Sequence, residues 1–134
     1  MRILLDAMGG DNAPDATIRG AVSAINEIEA ELVLIGQEAV INAKAQEFYG
    51  KTLQEISPRL SVYNAKEKIE MEDIPTQAIK TKKDSSMVVG FNLLKKDEGD
   101  VFISAGNSGA LLTGATLLVG RIKGVDRPAL AGIL

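Results

Sequence analysis

Arg2-Ile3-Leu4-Leu5-Asp6-Ala7-Met8-Gly9-Gly10-Asp11-Asn12-Ala13-Pro14 carries an apolar run straight into a polar turn built on a glycine pair. Arg2 to Asp6 has the length and composition of a buried strand. Pro14 opens a stretch to about Glu29 in which Ile18, Ala21, Val22, Ile25 and Ile28 fall on one helical face. Proline suits a first helical turn, Asp15 suits the positive end of the helix dipole, and Asp11 or Asn12 is placed to cap. Gly9 and Gly10 permit close approaches that side chains block. A strand, a turn flanked by Asp6 and Asp11, and a helix start therefore follow one another, and such a turn can present backbone N–H groups to a ligand.

The same unit recurs along the chain. Leu32 to Ile35 is a second buried strand closed by Gly36, and Glu38 to Phe48 a second helix, with Ile41, Ala45 and Phe48 in register, ended by Gly50. After Pro58, Leu60 and Val62 alternate with polar neighbours and predict a third strand. From Lys66 to Lys83 the composition turns charged, which predicts a loop and a short helix from Pro75. Ser85 and Ser86 are expected to cap a helix with Met87, Phe91 and Leu94 on its core face, its end marked by Lys95 and Lys96 before Gly99. Val101 to Ile103 is a fourth strand. The turn Ser104-Ala105-Gly106-Asn107-Ser108-Gly109 then leads into a helix with Leu111, Leu112, Ala115, Leu118, Val119 and Ile122 in register. Alternating strands and helices predict an α/β fold of three layers around a mostly parallel sheet. Pro128 to Leu134 looks like the start of another buried strand with no turn or polar tail, which predicts a truncated chain.

A length of 134 residues, 46% hydrophobic and 25% charged, fits one soluble globular domain. The net charge of −3 argues against a general nucleic-acid binder. The chain has neither cysteine nor histidine. Thiolate catalysis, Ser/His and Cys/His mechanisms and the commonest transition-metal ligand are therefore absent, leaving carboxylates, Lys, Arg, hydroxyls, amides and backbone. Only three apolar residues separate Arg2 from Asp6, too few for a secretory signal, so the expected location is cytoplasmic. Uncharged Val101 to Gly120 is about long enough to cross a bilayer. Ser104, Asn107, Ser108 and four glycines divide it into a buried strand, a tight turn and a buried helix instead.

In open parallel sheets, ligands collect beyond the carboxyl ends of the strands. Two turns there are polar: Asp6 to Asn12, and Ser104 to Gly109, whose hydroxyls, amide and small residues suit an anion, phosphate being the simplest. Arg121, Lys123 and Arg127 follow as three cations that can meet a phosphate or an acidic partner. Bland alternatives stand beside each assignment. Gly9, Gly10, Gly106 and Gly109 are also ordinary turn formers, Asp11, Asn12, Ser104 and Ser108 also helix caps, and the three cations also a solvated surface. Lys80, Lys82 and Lys83 are expected to face solvent, Glu70, Glu72 and Asp73 to form a solvated loop rather than a cation site, and Met8 and Met87 to lie in the core. No nucleotide fingerprint is complete. Gly109 and Gly114 have Walker A spacing, but Ala115 and Thr116 stand where Lys and Ser/Thr belong.

The nine residues Asp6 to Pro14 closely resemble the opening of the bacterial phosphate acyltransferase (PlsX) family. Lys82-Lys83-Asp84-Ser85-Ser86-Met87, Ile103 to Leu111 and Gly120 to Leu130 resemble further blocks of that family, in the same order. The resemblance covers the whole chain and implies that residues 1–134 are the N-terminal part of a single α/β acyltransferase domain, of isocitrate and isopropylmalate dehydrogenase-like architecture. It implies transfer of a fatty acyl group from acyl carrier protein to inorganic phosphate, giving acyl phosphate for phospholipid synthesis without a cofactor. It also implies a homodimer and peripheral membrane contact. Phosphate is itself a nucleophile, so the absence of Cys and His suits this chemistry. Ser104, Gly106, Asn107, Ser108 and Gly109 are then expected to hold phosphate, with Arg121, Lys123 and Arg127 as charge partners, while Asp6, Asp11 and Asn12 orient groups or shape the acyl site. Two other classes compete: a module that binds phosphate or acyl carrier protein without turnover, and a metal-dependent dehydrogenase, which would need a nicotinamide site and a carboxylate cluster.

Overall fold

The structure, a computed structural model, describes residues 1–129 and 131. Its elements run β1 (Arg2–Asp6), α1 (Asp15–Ile25), β2 (Glu31–Gly36), α2 (Glu38–Tyr49), α3 (Leu53–Ile56), β3 (Leu60–Asn64), α4 (Pro75–Thr81), α5 (Ser86–Lys95), β4 (Val101–Ile103) and α6 (Ser108–Gly114), which continues as a π turn over Ala115–Val119. The strand expected from Pro128 falls mainly on Leu130 and residues 132–134, outside the described residues.

The four strands form one parallel sheet in the order β3-β2-β1-β4. β2 lies inside it, and Leu32 to Ile35 are buried on both faces, which is why that strand is an unbroken apolar run. Period-two alternation divides the core. Leu32, Leu34 and Leu60 pack with Ile18, Ile25, Ile41 and Leu53 from α1, α2 and α3 on one face. Leu4, Val33 and Ile35 meet Leu93 of α5 on the other. A third cluster, with Ile79, Met87, Val88, Phe91 and Ala110, joins α4, α5 and α6. Bare backbone at Gly90 lets α5 lie against β4: an added Cβ would stand 2.3 Å from the Phe102 ring. Phe102 and Phe91 pack edge to face with centroids 5.2 Å apart.

The predicted fold class is what the structure shows, with local differences. α1 is shorter than predicted, because the guanidinium of Arg59 closes its C-terminal end, donating to the carbonyls of Ile25 (2.6 Å), Ile28 (2.6 Å) and Ala30 (3.1 Å). Neither Asp11 nor Asn12 caps it; Pro14 holds the cap position, and the Thr17 hydroxyl ties the helix start to Ala7 and Pro14 carbonyls at 2.6 and 2.9 Å. Gly50 ends α2 in the left-handed region at φ 69°, as its position predicts. Ser85 caps α5 by accepting from the Val88 amide, whereas Ser86 turns its hydroxyl elsewhere. Asp97, not Gly99, takes the positive φ after α5; Gly99 is bare because a Cβ there would meet Leu4 at 2.5 Å. α3 was not predicted; its Thr52–Glu55 capping box holds a single turn too short for periodicity to reveal. The last helix widens into its π turn and stops at Gly120, leaving Ile122 80% exposed instead of in helical register.

Candidate functional site

β1, β2 and β3 step outward in one direction while β4 joins the opposite side of β1, so the strand order reverses between β1 and β4. Both polar turns leave the carboxyl ends of these two neighbours. They touch: a Cβ on Gly10 would lie 3.4 Å from Ala105 Cβ, and one on Gly106 would lie 3.4 Å from Gly9 Cα. The adjacency needs Gly9, since a Cβ there would stand 2.6 Å from Asp6 Oδ2 and 2.9 Å from Ser104 Oγ.

Asp6, 2% exposed, is the hub beneath the turns. Its Oδ1 accepts from the Ser86 hydroxyl at 2.6 Å and the Met8 amide at 3.1 Å, and its Oδ2 from the Ser104 hydroxyl at 2.7 Å. A hydroxyl carries one proton, and Ser104 gives it to Asp6. The Ser104 oxygen is thereby free to accept the Gly106 amide at 3.1 Å. Met8 and Met87 lie in the core as expected, at 8% and 1% exposure.

Asn107 is buried at 6% exposure and fully employed. Its Oδ1 caps α6 by accepting from Ala110 N at 3.1 Å, and its Nδ2 faces the carbonyls of Glu70 (3.2 Å), Met71 (3.3 Å) and Asp73 (3.0 Å). These carbonyls belong to the segment Glu67 to Ile74, which crosses to α4 and packs Pro75 against bare Gly109, where a Cβ would come within 2.7 Å. Lys82 secures the same segment, its Nζ donating to Asp73 Oδ2 at 2.6 Å and to Lys68 O at 3.0 Å. That ammonium and the Glu70 amide, in this order, hold the Asp73 carboxyl below the ordinary carboxylate range. Lys82 therefore does not simply face solvent, unlike exposed Lys80 and Lys83.

Of the five residues expected to hold phosphate, Ser104 thus commits its hydroxyl proton, Gly106 its amide and Asn107 its side-chain amide within the protein. Ser108 is exposed, and the first-turn amides of Ser108 and Gly109 have no intrahelical acceptor. Asp11 and Asn12 are exposed on the adjoining turn. Arg121, Lys123 and Arg127 lie past the π turn, all exposed, with Arg121 Nη1 donating to the Asp126 carbonyl. Among the described residues, no hydrogen bond or ion pair joins those cations to the Ser104–Gly109 turn. Ser86 and Lys82 were missed as site-supporting residues. A buried serine at a helix start looks like a cap in sequence, and nothing in its spacing points to a strand 80 residues away.

An all-parallel sheet with polar turns at its switch point is of the doubly wound α/β class, which gathers ligands at that place. A family model described as "Fatty acid synthesis protein" matches residues 1–134. The chain is 55% identical to a phosphate acyltransferase of Acetivibrio thermocellus, 50% to one of Thermoanaerobacter pseudethanolicus and 46% to one of Clostridioides difficile. Each match covers 100% of this chain and 38% of the relative, so the chain spans well under half the length of these relatives. The chain belongs to this family of fatty acid synthesis proteins.

Proposed function

We propose that residues 1–134 supply the phosphate-handling part of an acyltransferase that moves a fatty acyl group from acyl carrier protein to inorganic phosphate, forming acyl phosphate for phospholipid synthesis. The observation that carries this proposal is the meeting of two polar turns at the switch point, one of them opening α6 with uncommitted amides and an exposed serine hydroxyl. Phosphate oxygens sit against the amides of Ser108 and Gly109 and the Ser108 hydroxyl. Ser104, Gly106 and Asn107 hold that turn in shape, Asp6 anchors it, and exposed Asp11 and Asn12 orient the incoming acyl group. Arg121, Lys123 and Arg127 offset anionic charge on phosphate or on the carrier. In the reaction a phosphate oxygen bonds to the thioester carbonyl carbon, the C–S bond breaks, and the thiolate leaves with the electron pair and takes a proton from solvent. The names of the relatives and the family support this activity. In the same proposal the full-length protein is a cytoplasmic homodimer that touches the membrane peripherally, with residues 1–134 forming the N-terminal part of one α/β domain.

A thermal melt with and without phosphate, against sulfate at equal ionic strength, tests the site. Phosphate at a hundredfold excess over its dissociation constant should raise stability by about 2.7 kcal/mol. No shift removes the phosphate site from this part of the fold. A second reading, binding of phosphate or acyl carrier protein without turnover, is supported by the exposure of Arg121, Lys123 and Arg127, which no hydrogen bond or ion pair joins to the Ser104–Gly109 turn among the described residues. Formation of acyl phosphate from acyl carrier thioester and phosphate separates the two.

A further inference from the structure

Ser86 is 1% exposed and stands where three segments meet. Its hydroxyl donates to Asp6 Oδ1 at 2.6 Å at the end of β1, and its amide donates to the Glu67 carbonyl at 3.1 Å. From Asp6 the contacts pass to Ser104 and the Gly106 amide, then along the turn to Asn107. Asn107 reaches back to Glu70, Met71 and Asp73 on the segment that begins at Glu67. The contacts therefore form a closed ring around the start of α6, and Ser86 is the residue bonded to both ends of it.

We propose that Ser86 is a positioning residue for the anion-facing turn, acting through Asp6 and Ser104. The proposal rests on the phosphate site inferred above. Polarity in the ring converges on Asp6 from both sides. Asp6 takes protons from both serines, so Ser104 must present its lone pair to Gly106, and this sets the direction of the peptide just before the Ser108 and Gly109 amides. With the Ser86 hydroxyl gone, Asp6 Oδ1 keeps only the longer bond from the Met8 amide, and the carboxylate that aligns Ser104 is held less firmly. The buried Ser85, the neighbouring cap of α5, accepts from the Val88 amide and, among the described residues, makes no hydrogen bond to Asp6, so it separates this role from mere helix stability.

The test is an NMR titration of the whole 134-residue chain with inorganic phosphate, following the Ser108 and Gly109 amides in the wild type, Ser86→Ala and Ser85→Ala. Ser86→Ala is expected to weaken phosphate binding about tenfold, as loss of a buried charge-assisted hydrogen bond would. Ser85→Ala should lower the melting temperature while leaving phosphate affinity unchanged. Equal losses of affinity in the two variants, or none in Ser86→Ala, would overturn the proposal. A wild type that shows no phosphate response overturns the phosphate site instead, and Ser86 is then judged by hydrogen exchange at the Gly106 amide. Faster exchange in Ser86→Ala, but not in Ser85→Ala, upholds the coupling; unchanged exchange defeats it.

Discussion

Asparagine and aspartate are close to interchangeable as helix N-caps in general, but Asn107 holds a position where they differ sharply. Its Oδ1 caps α6 while its Nδ2 faces three carbonyl oxygens at 3.0 to 3.3 Å. Asn107→Ala should cost about 2 kcal/mol, the sum of a lost cap and of carbonyls left without their donor. Asn107→Asp keeps the cap yet sets a carboxylate oxygen against the carbonyls of Glu70, Met71 and Asp73, and is expected to be the more destabilising of the two. Urea denaturation ranks them; a milder Asp variant would mean the carbonyl contacts contribute little. The same residue shows where sequence was informative and where it was silent. A Gly-Asn-Ser-Gly run after a strand marks a helix start and an anion-suited turn, because those features are local. That the amide of Asn107 points inward to a loop 34 to 37 residues earlier depends on tertiary packing, which no spacing rule encodes.

Elements set by periodicity were legible: the four strands, and the helices whose apolar residues recur every third or fourth position. Their ends were less so, because tertiary partners decide them. Arg59 is the clearest case, reaching from just before β3 to the carbonyls that terminate α1, where its cation also meets the negative end of the helix dipole. Arg59→Ala should destabilise the fold by about 2 kcal/mol, read by urea denaturation, and loosen the amides of the last turn of α1 to hydrogen exchange. The segment between Glu67 and Ile74 carries a pH dependence of definite sign. Asp73 has its pKa lowered in the folded protein, so the stability it contributes is fully present above the ordinary carboxylate pKa of about 4. That contribution fades as pH falls through the lowered folded value. Melting temperatures of the wild type should therefore exceed those of Asp73→Asn at pH 6 and converge with them in acid once the Asp73 carboxylate is protonated. A gap that persists in acid would assign the effect to shape rather than charge.

At the scale of the molecule, the reversal of strand order between β1 and β4 places the candidate site where the sequence expected ligands to gather. Sequence alone could name both polar turns but not show that they touch, since strand order is fixed by crossovers and not by composition. Two faces remain uneven. α1 and α2 cover β1, β2 and β3 on one side, whereas Val101 and Ile103 of β4 stay 39% and 48% exposed beside an apolar trench of about 360 Å³ lined by Ile3, Leu5, Ala24 and Ile28. The bond from Ser104 to Asp6 also has a kinetic meaning. It joins residues 98 apart, while β1 and β2 pair across fewer than thirty. Closing the longer loop costs about 1 kcal/mol more chain entropy than closing the one between β1 and β2, so the β4 edge is expected to dock last on the folding pathway. Removing the Ser104 hydroxyl should then leave the refolding rate nearly unchanged and raise the unfolding rate, a division that stopped-flow measurement reads directly. The two polar turns meet only once β4 has docked, so a chain caught partway through folding lacks the anion site proposed above.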